Sequence, residues 1–125
     1  MSEPVALALT LVIELPVWIV LLGARLAVPW TWATIVGVAA NAVSHPLLWF
    51  VMIPLGEGAT GSTVVAIAIG EAVVVVVEAA LGAAILHRAG AGRDHRAREV
   101  AVVALLANVL SVAAGIVLGA LGLGT

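Results

Sequence analysis

The chain of 125 residues contains no cysteine and no lysine, and only 10% of its residues are charged. The absence of cysteine excludes disulfides, thiolate metal ligands and cysteine nucleophiles. All five basic residues are arginines, and together with the abundance of Ala, Val and Gly this suggests a GC-rich bacterial genome. A formal net charge of -2 on so few charged residues gives no indication of nucleic-acid binding.

Apolar residues dominate the composition. They make up 64% of the chain, compared with about 45–50% in soluble domains. Four windows, 5–28, 30–55, 64–86 and 100–123, reach the roughly 20 apolar residues that a membrane-spanning helix requires. The sequence therefore predicts an all-α polytopic membrane protein with the lipid bilayer as its partner. Residues 1–125 form one domain of four transmembrane helices in this prediction, and residues 55–62 form a Gly-rich flexible loop.

The positions of the arginines predict how the chain is oriented in the membrane. Four of the five lie in the predicted loop 87–99, and Arg25 lies at the end of the first window on the same side. Glu3 and Glu57 lie on the other side. By the positive-inside rule, loop 87–99 is predicted to be cytoplasmic and both termini to lie outside the bacterial inner (plasma) membrane. The first window is not expected to be a cleaved signal peptide, because no positive charge precedes it and Glu14 lies in its middle.

Three glutamates interrupt these apolar windows. Glu71 and Glu78 are seven residues apart, so they share one face of a helix, and Glu14 lies near the middle of the first window. A charged residue at the centre of a bilayer costs about 2.5–3.5 kcal/mol even on lenient scales, and such residues usually face the bundle interior and carry function. We therefore expect all three to point into the bundle.

Polar residues of the second and fourth windows are expected to face these glutamates. Both windows contain the motif Asn-x-x-Ser, as Asn41 and Ser44 in one and Asn108 and Ser111 in the other, and the first is followed by His45 and Pro46. Pro46 removes a backbone hydrogen bond beside the histidine. The alternative interpretation is that the amides and hydroxyls simply hold neighbouring helices together.

These motifs predict an internal repeat, with halves at about 5–55 and 64–123. Asn41 is matched with Asn108, and Glu14 with Glu71. Since each half holds two spans, the halves are predicted to be parallel and related by a pseudo-two-fold axis along the membrane normal. Depths counted from the outer ends of the windows predict two polar layers: an outer layer of Glu14, His45 and Glu71, and an inner layer of Glu78, Asn41 and Asn108.

Carboxylates and an imidazole are suitable ligands for zinc, iron or manganese, and Glu14, His45 and Glu71 are the predicted ligand set for such a divalent ion. The same groups suit a proton relay, because histidine exchanges protons near neutral pH. A third interpretation is purely structural, with a neutral hydrogen-bonded network that holds the four helices together.

The stretch Asn41-x-x-Ser44-His45-Pro46, followed by two glutamates on one helix and a second Asn-x-x-Ser, resembles a group of small uncharacterised bacterial four-span membrane proteins. That resemblance covers nearly the whole chain and implies no particular activity. In size, span count and its first-helix glutamate the chain also resembles small multidrug resistance transporters. The second resemblance implies a proton-exchanging role for Glu14 alone, because three buried glutamates and a histidine depart from that family's single-carboxyl design.

Three functions remain open. The first is binding and transport of a cation, either a metal ion or a proton. The second is an intramembrane metal-dependent enzyme with Glu78 as acid or base, and the third is an accessory subunit of a larger membrane complex. Enzymes of the second kind usually carry motifs such as H-E-x-x-H, which the chain lacks, so transport is favoured. Gly115-x-x-x-Gly119 predicts tight helix packing, within the bundle or in a homo-oligomer.

Overall fold

The computed structural model describes residues 2–92 and 96–123, which form helices and no strand. The elements are α1 (Glu3–Leu26), α2 (Trp30–Leu47), a π-helical turn (Leu48–Met52), α3 (Ile53–Thr60), α4 (Thr63–Ala89) and α5 (Arg96–Ala120). The second, third and fourth of these form one continuous helical rod. The described residues thus contain four helical rods that are long and apolar enough to cross a membrane. The predicted all-α class and number of candidate spans are confirmed.

A tight turn joins α1 to α2. Ala27 adopts a left-handed conformation with φ of 54°, and its N–H and that of Val28 donate to the carbonyls of Gly23 and Leu22. These bonds satisfy carbonyls that the end of a helix would otherwise leave free. Because α2 begins at Trp30, only three residues separate the two helices. The turn therefore fixes the height of α2 relative to α1.

Three helices extend beyond the windows that the sequence predicted. The Gly-rich stretch 55–62, predicted as a flexible loop, is helical as far as Thr60, and Gly61 ends the helix with φ of 68°. Ser62 then caps α4 by accepting a hydrogen bond from the N–H of Val65. Loop 87–99 is also shorter than predicted, because α4 continues to Ala89 and α5 begins at Arg96. Residues 93–95 of that loop lie outside the described residues.

The π-helical turn follows Pro46, whose missing N–H interrupts the regular hydrogen-bond pattern of α2. Beyond this point the rod lies close against α4. Two glycines permit this approach: a Cβ at Gly56 would lie 2.7 Å from the Cβ of Ala66, and one at Gly70 would lie 2.5 Å from Leu48 Cδ1. Small residues at these points let the two backbones pack closely.

The rods form a ring in the order α1, α2, α4, α5, since α1 and α4 each pack on both α2 and α5. We call the half of the bundle next to Leu26, Trp30 and Arg96 the arginine half, and the other the open half. The arginine half is filled by a fully buried apolar core, which comprises Trp18, Leu22, Val36, Leu86, Val100, Val103 and Ala104. In the open half, α1 before Glu14 and α5 after Asn108 contribute no buried residue. The bundle is therefore closed at one end only.

Candidate functional site

A cavity of about 210 Å³ lies in the open half, bordered by all four rods. Every polar residue that the sequence singled out lines it, namely Glu14, Asn41, Ser44, His45, Glu71, Glu78, Asn108 and Ser111. Among the lining residues that were not assigned to the site from the sequence, two carry polar or aromatic side chains, Thr10 and Trp49. Each lies one helical turn from a predicted site residue, Thr10 from Glu14 and Trp49 from His45. That spacing places them on the same helical face and would have identified them.

The deepest part of the cavity contains two carboxyl–amide pairs. Asn41 Nδ2 donates to Glu14 Oε2 at 3.1 Å and to the carbonyl of Gly37 at 3.0 Å. Asn108 Nδ2 in the same way donates to Glu78 Oε2 at 2.6 Å and to the carbonyl of Ala104 at 2.8 Å. Each amide is thus fixed to its own helix while it bonds the carboxyl of a neighbouring helix.

Serines flank the same two carboxyls from the other side. Ser44 Oγ donates to Glu78 Oε1 at 2.5 Å, and Ser111 lies beside the Glu14 carboxyl. Glu14 and Glu78 therefore each lie between an asparagine of one neighbouring helix and a serine of the other. Both glutamates are only 1% exposed, and these partners offset part of the cost of burying them.

The predicted layers are wrong in one respect. Glu14 was assigned to an outer layer, but it is bonded to Asn41 in the deeper one. In addition, the carboxyl that bonds Asn108 is that of Glu78, not that of Glu71, which the predicted repeat had matched with Glu14. Depth had been counted from the outer ends of the windows, where the helices differ in length. The short turn between Leu26 and Trp30 is the better reference, because Glu14 lies twelve residues before it and Asn41 eleven after it.

His45 and Glu71 lie further towards the mouth of the cavity. Glu71 is partly buried, and its carboxyl accepts no hydrogen bond from the described part of the chain. His45 is 7% exposed, its Nε2 is buried without a hydrogen-bond partner among the described residues, and its ring centre is 6.2 Å from that of Trp49. No ion pair joins His45 to Glu71 within residues 2–92 and 96–123. The two groups therefore line one cavity without satisfying each other.

The predicted metal ligands do not form a ligand cluster. Among the residues that the structure describes, no three His, Asp or Glu side chains are grouped closely enough to hold one metal ion. Glu14 is engaged by Asn41 at the bottom of the cavity, while His45 and Glu71 lie above it. The set of Glu14, His45 and Glu71 therefore shares a cavity but lacks the geometry of a zinc, iron or manganese site.

Trp18 lies beyond the cavity, on the side of the arginine half. It is one turn past Glu14 and fully buried, and its indole Nε1 has no hydrogen-bond partner among the described residues. Its ring fits against two glycines: a Cβ at Gly37 would lie 3.3 Å from Trp18 Cγ, and one at Gly82 would lie 3.7 Å from Trp18 Cζ3. The indole is the first layer of the apolar core below the polar groups.

Acidic side chains outnumber basic ones around the cavity. Three carboxyl groups and one imidazole line it, and no arginine is among the lining residues. Both carboxylate oxygens of Glu71 are left without a hydrogen bond from the residues that the structure describes. Ionised carboxylates only accept hydrogen bonds. The cavity is therefore suited to a positively charged ligand or to protons.

Comparisons with known proteins add no relative: no protein-family model matches the sequence, and searches of curated proteins and of solved structures find no similar protein.

Proposed function

We propose that this chain is a multi-pass membrane protein that binds a cation in the cavity between its helices and transports it across the membrane. The observation that carries the proposal is the set of three carboxyl groups around one cavity without a basic residue. Uncompensated carboxylates in an apolar bundle are costly, and ionisable groups at membrane depth usually mark an ion or substrate pathway. A bound cation would neutralise them.

The proposed location is the bacterial inner membrane, with both termini outside and the arginine half towards the cytoplasm. The position of the arginines supports this orientation. Since the chain has no native cysteine, single-cysteine variants give a clean test at two exposed positions. A membrane-impermeant maleimide added to intact cells should label Gly58→Cys and spare Arg98→Cys. Labelling of Arg98→Cys alone would reverse the orientation.

Transport requires the arginine half of the bundle to open. In the structure the cation would enter from the open half and reach Glu14 and Glu78, where the Trp18 layer stops it. The matched bonds of Asn41 and Asn108 support a repeat in which Glu14 corresponds to Glu78. In such a repeat the two halves would move against each other to open the arginine half.

An associated proposal concerns assembly. A Cβ at Gly119, or at Gly115 where α5 borders the cavity, would meet no atom of the described residues within 4 Å. Packing of a second copy there is the form of homo-oligomer that we propose.

The metal-dependent enzyme has less support than transport, because no three candidate ligands are grouped in residues 2–92 and 96–123.

The proposal is tested with purified protein in liposomes. Wild-type protein should carry cations down an imposed gradient, and the triple variant Glu14→Gln, Glu71→Gln, Glu78→Gln should carry none. Glu57→Gln is the matched control, because this exposed glutamate lies outside the cavity and is bonded to Thr63. Equal flux through the wild type and a folded triple variant would exclude the cavity as the pathway.

A further inference from the structure

We infer that the cation is a primary ammonium group on a short apolar chain, held between Glu71 and His45. This inference rests on the proposed cation-binding function and names the chemical class of the ligand. It starts from two of the groups that the described residues leave without hydrogen-bond partners. Glu71 on α4 accepts no hydrogen bond from the described residues, and Nε2 of His45 on α2 is buried without one. A buried acceptor such as this nitrogen is costly to leave unpaired, so a ligand that bonds it stabilises the site.

The two groups call for a donor with several N–H bonds. An ionised Glu71 accepts hydrogen bonds only, and the unprotonated nitrogen of a neutral imidazole is also an acceptor. His45 and Glu71 line the same cavity and form no ion pair with each other in the described residues, so both are available to a ligand. A primary ammonium carries three N–H donors and a positive charge, so it can bond both groups at once with charge-assisted hydrogen bonds.

The walls of the cavity favour an organic cation over a metal ion. Leu48, Ile53, Ile67 and Val74 face the cavity beside the polar groups. A metal ion would have to lose its hydration shell next to these apolar side chains, without three grouped ligands to replace it in the described residues. An alkyl chain gains from the same contacts, because burial of its apolar surface is favourable.

The volume sets the size of the ligand. The cavity holds about 210 Å³, whereas an engineered protein cavity of about 150 Å³ is sufficient for benzene. An ammonium group with a chain of about four to six carbons therefore fits.

Trp49 supplies both an additional contact and a reporter. Its side chain lines the cavity and is 36% exposed, so it stands at the edge of the cavity. An aromatic ring within about 6 Å of a cation attracts it. Trp18 is fully buried in the apolar core, and Trp30 and Trp32 lie at the arginine end, so a fluorescence change on ligand binding should come from Trp49 and disappear in Trp49→Phe.

The test compares ligands on the wild-type protein, so no variant has to fold for it to be decisive. Calorimetric titration of detergent-solubilised protein with n-butylammonium should give saturable binding. The trimethyl derivative, n-butyltrimethylammonium, keeps the charge and the chain but has no N–H, and it should bind at least about tenfold more weakly. Glu71→Gln and His45→Phe should each weaken butylammonium binding by a similar factor, while the control Glu57→Gln should bind it as the wild type does.

Three results would overturn the inference. Equal affinity for the two ligands would show that N–H groups are not recognised. Saturable binding of K⁺ or Zn²⁺ without binding of butylammonium would remove the ammonium assignment but leave the proposed cation-binding function intact. Absence of binding for every one of these cations would reject both.

Discussion

Replacement of Gly82 by alanine should destabilise the bundle, whereas the same replacement at Gly115 should not. A Cβ at Gly82 would lie 2.9 Å from Val100 Cγ1 and 3.1 Å from Val36 Cγ1, closer than ordinary van der Waals contact. Both valines are fully buried, and a valine in a helix strongly prefers one χ1 rotamer. Neither can turn away cheaply, so α4 must shift outwards or a valine must adopt a strained rotamer.

The expected magnitude follows from two opposing effects. Overpacking of a well-packed core costs about 1–3 kcal/mol, and alanine is favoured over glycine within a helix by up to about 1 kcal/mol. The net loss at Gly82 is therefore up to about 2 kcal/mol. At Gly115 the new Cβ would meet no atom of the described residues within 4 Å. Only the stabilisation from the higher helix preference of alanine applies there. The two variants should differ in free energy of unfolding by roughly 1–3 kcal/mol.

The free energies of unfolding are measured by reversible titration of the purified variants with SDS in mixed micelles. A second step tests the cause: in the Gly82→Ala background, Val100→Ala removes Cγ1, so it should cost clearly less than it does in the wild type. If Gly82→Ala were as stable as Gly115→Ala, the close packing of α4 on α2 and α5 would be refuted.

Two further predictions concern charged residues. Glu78→Gln should change the free energy of unfolding by less than about 1 kcal/mol, because an amide can still bond the neighbouring serine and asparagine. The same variant should abolish cation flux. A variant that unfolds early yet transports at the wild-type rate would assign Glu78 a structural role only. Arg25→Ala removes an ion pair with Glu99, and the two side chains are 41% and 24% exposed. The loss of stability should therefore be less than about 1 kcal/mol and should shrink as salt is added. A salt-independent loss of several kcal/mol, measured in the same unfolding titration, would show that the pair is not a solvent-screened surface ion pair.

The number of helices and the polar residues around the cavity could be predicted from the sequence. The length of an apolar run determines whether a helix can span a membrane, and the spacing of polar residues determines which share a face. These signals are local. They sufficed to select Asn41, Ser44, Glu78 and Asn108, which are hydrogen-bonded in the structure.

The partners of these residues could not be predicted, because they depend on the relative heights of the helices. Glu14 was placed one layer too high, since the ends of an apolar window do not mark a common level. The extension of α3 through Gly56 was missed for a different reason. Glycine is a poor helix former, but this glycine lies against Ala66 of α4, and such a contact cannot be deduced from the preferences of one segment.

The closed arginine half has an electrical consequence for a chain placed across a membrane as proposed. A cavity continuous with the outer solution brings the outer potential down to Glu14, so the voltage falls mainly over the apolar core between Glu14 and Leu26. Those twelve residues span only about 18 Å at about 1.5 Å per residue. Moving one charge through 100 mV involves about 2.3 kcal/mol. Almost all of that work falls on the step that carries the cation past Trp18, so this step should respond strongly to membrane potential, while binding in the cavity should respond little.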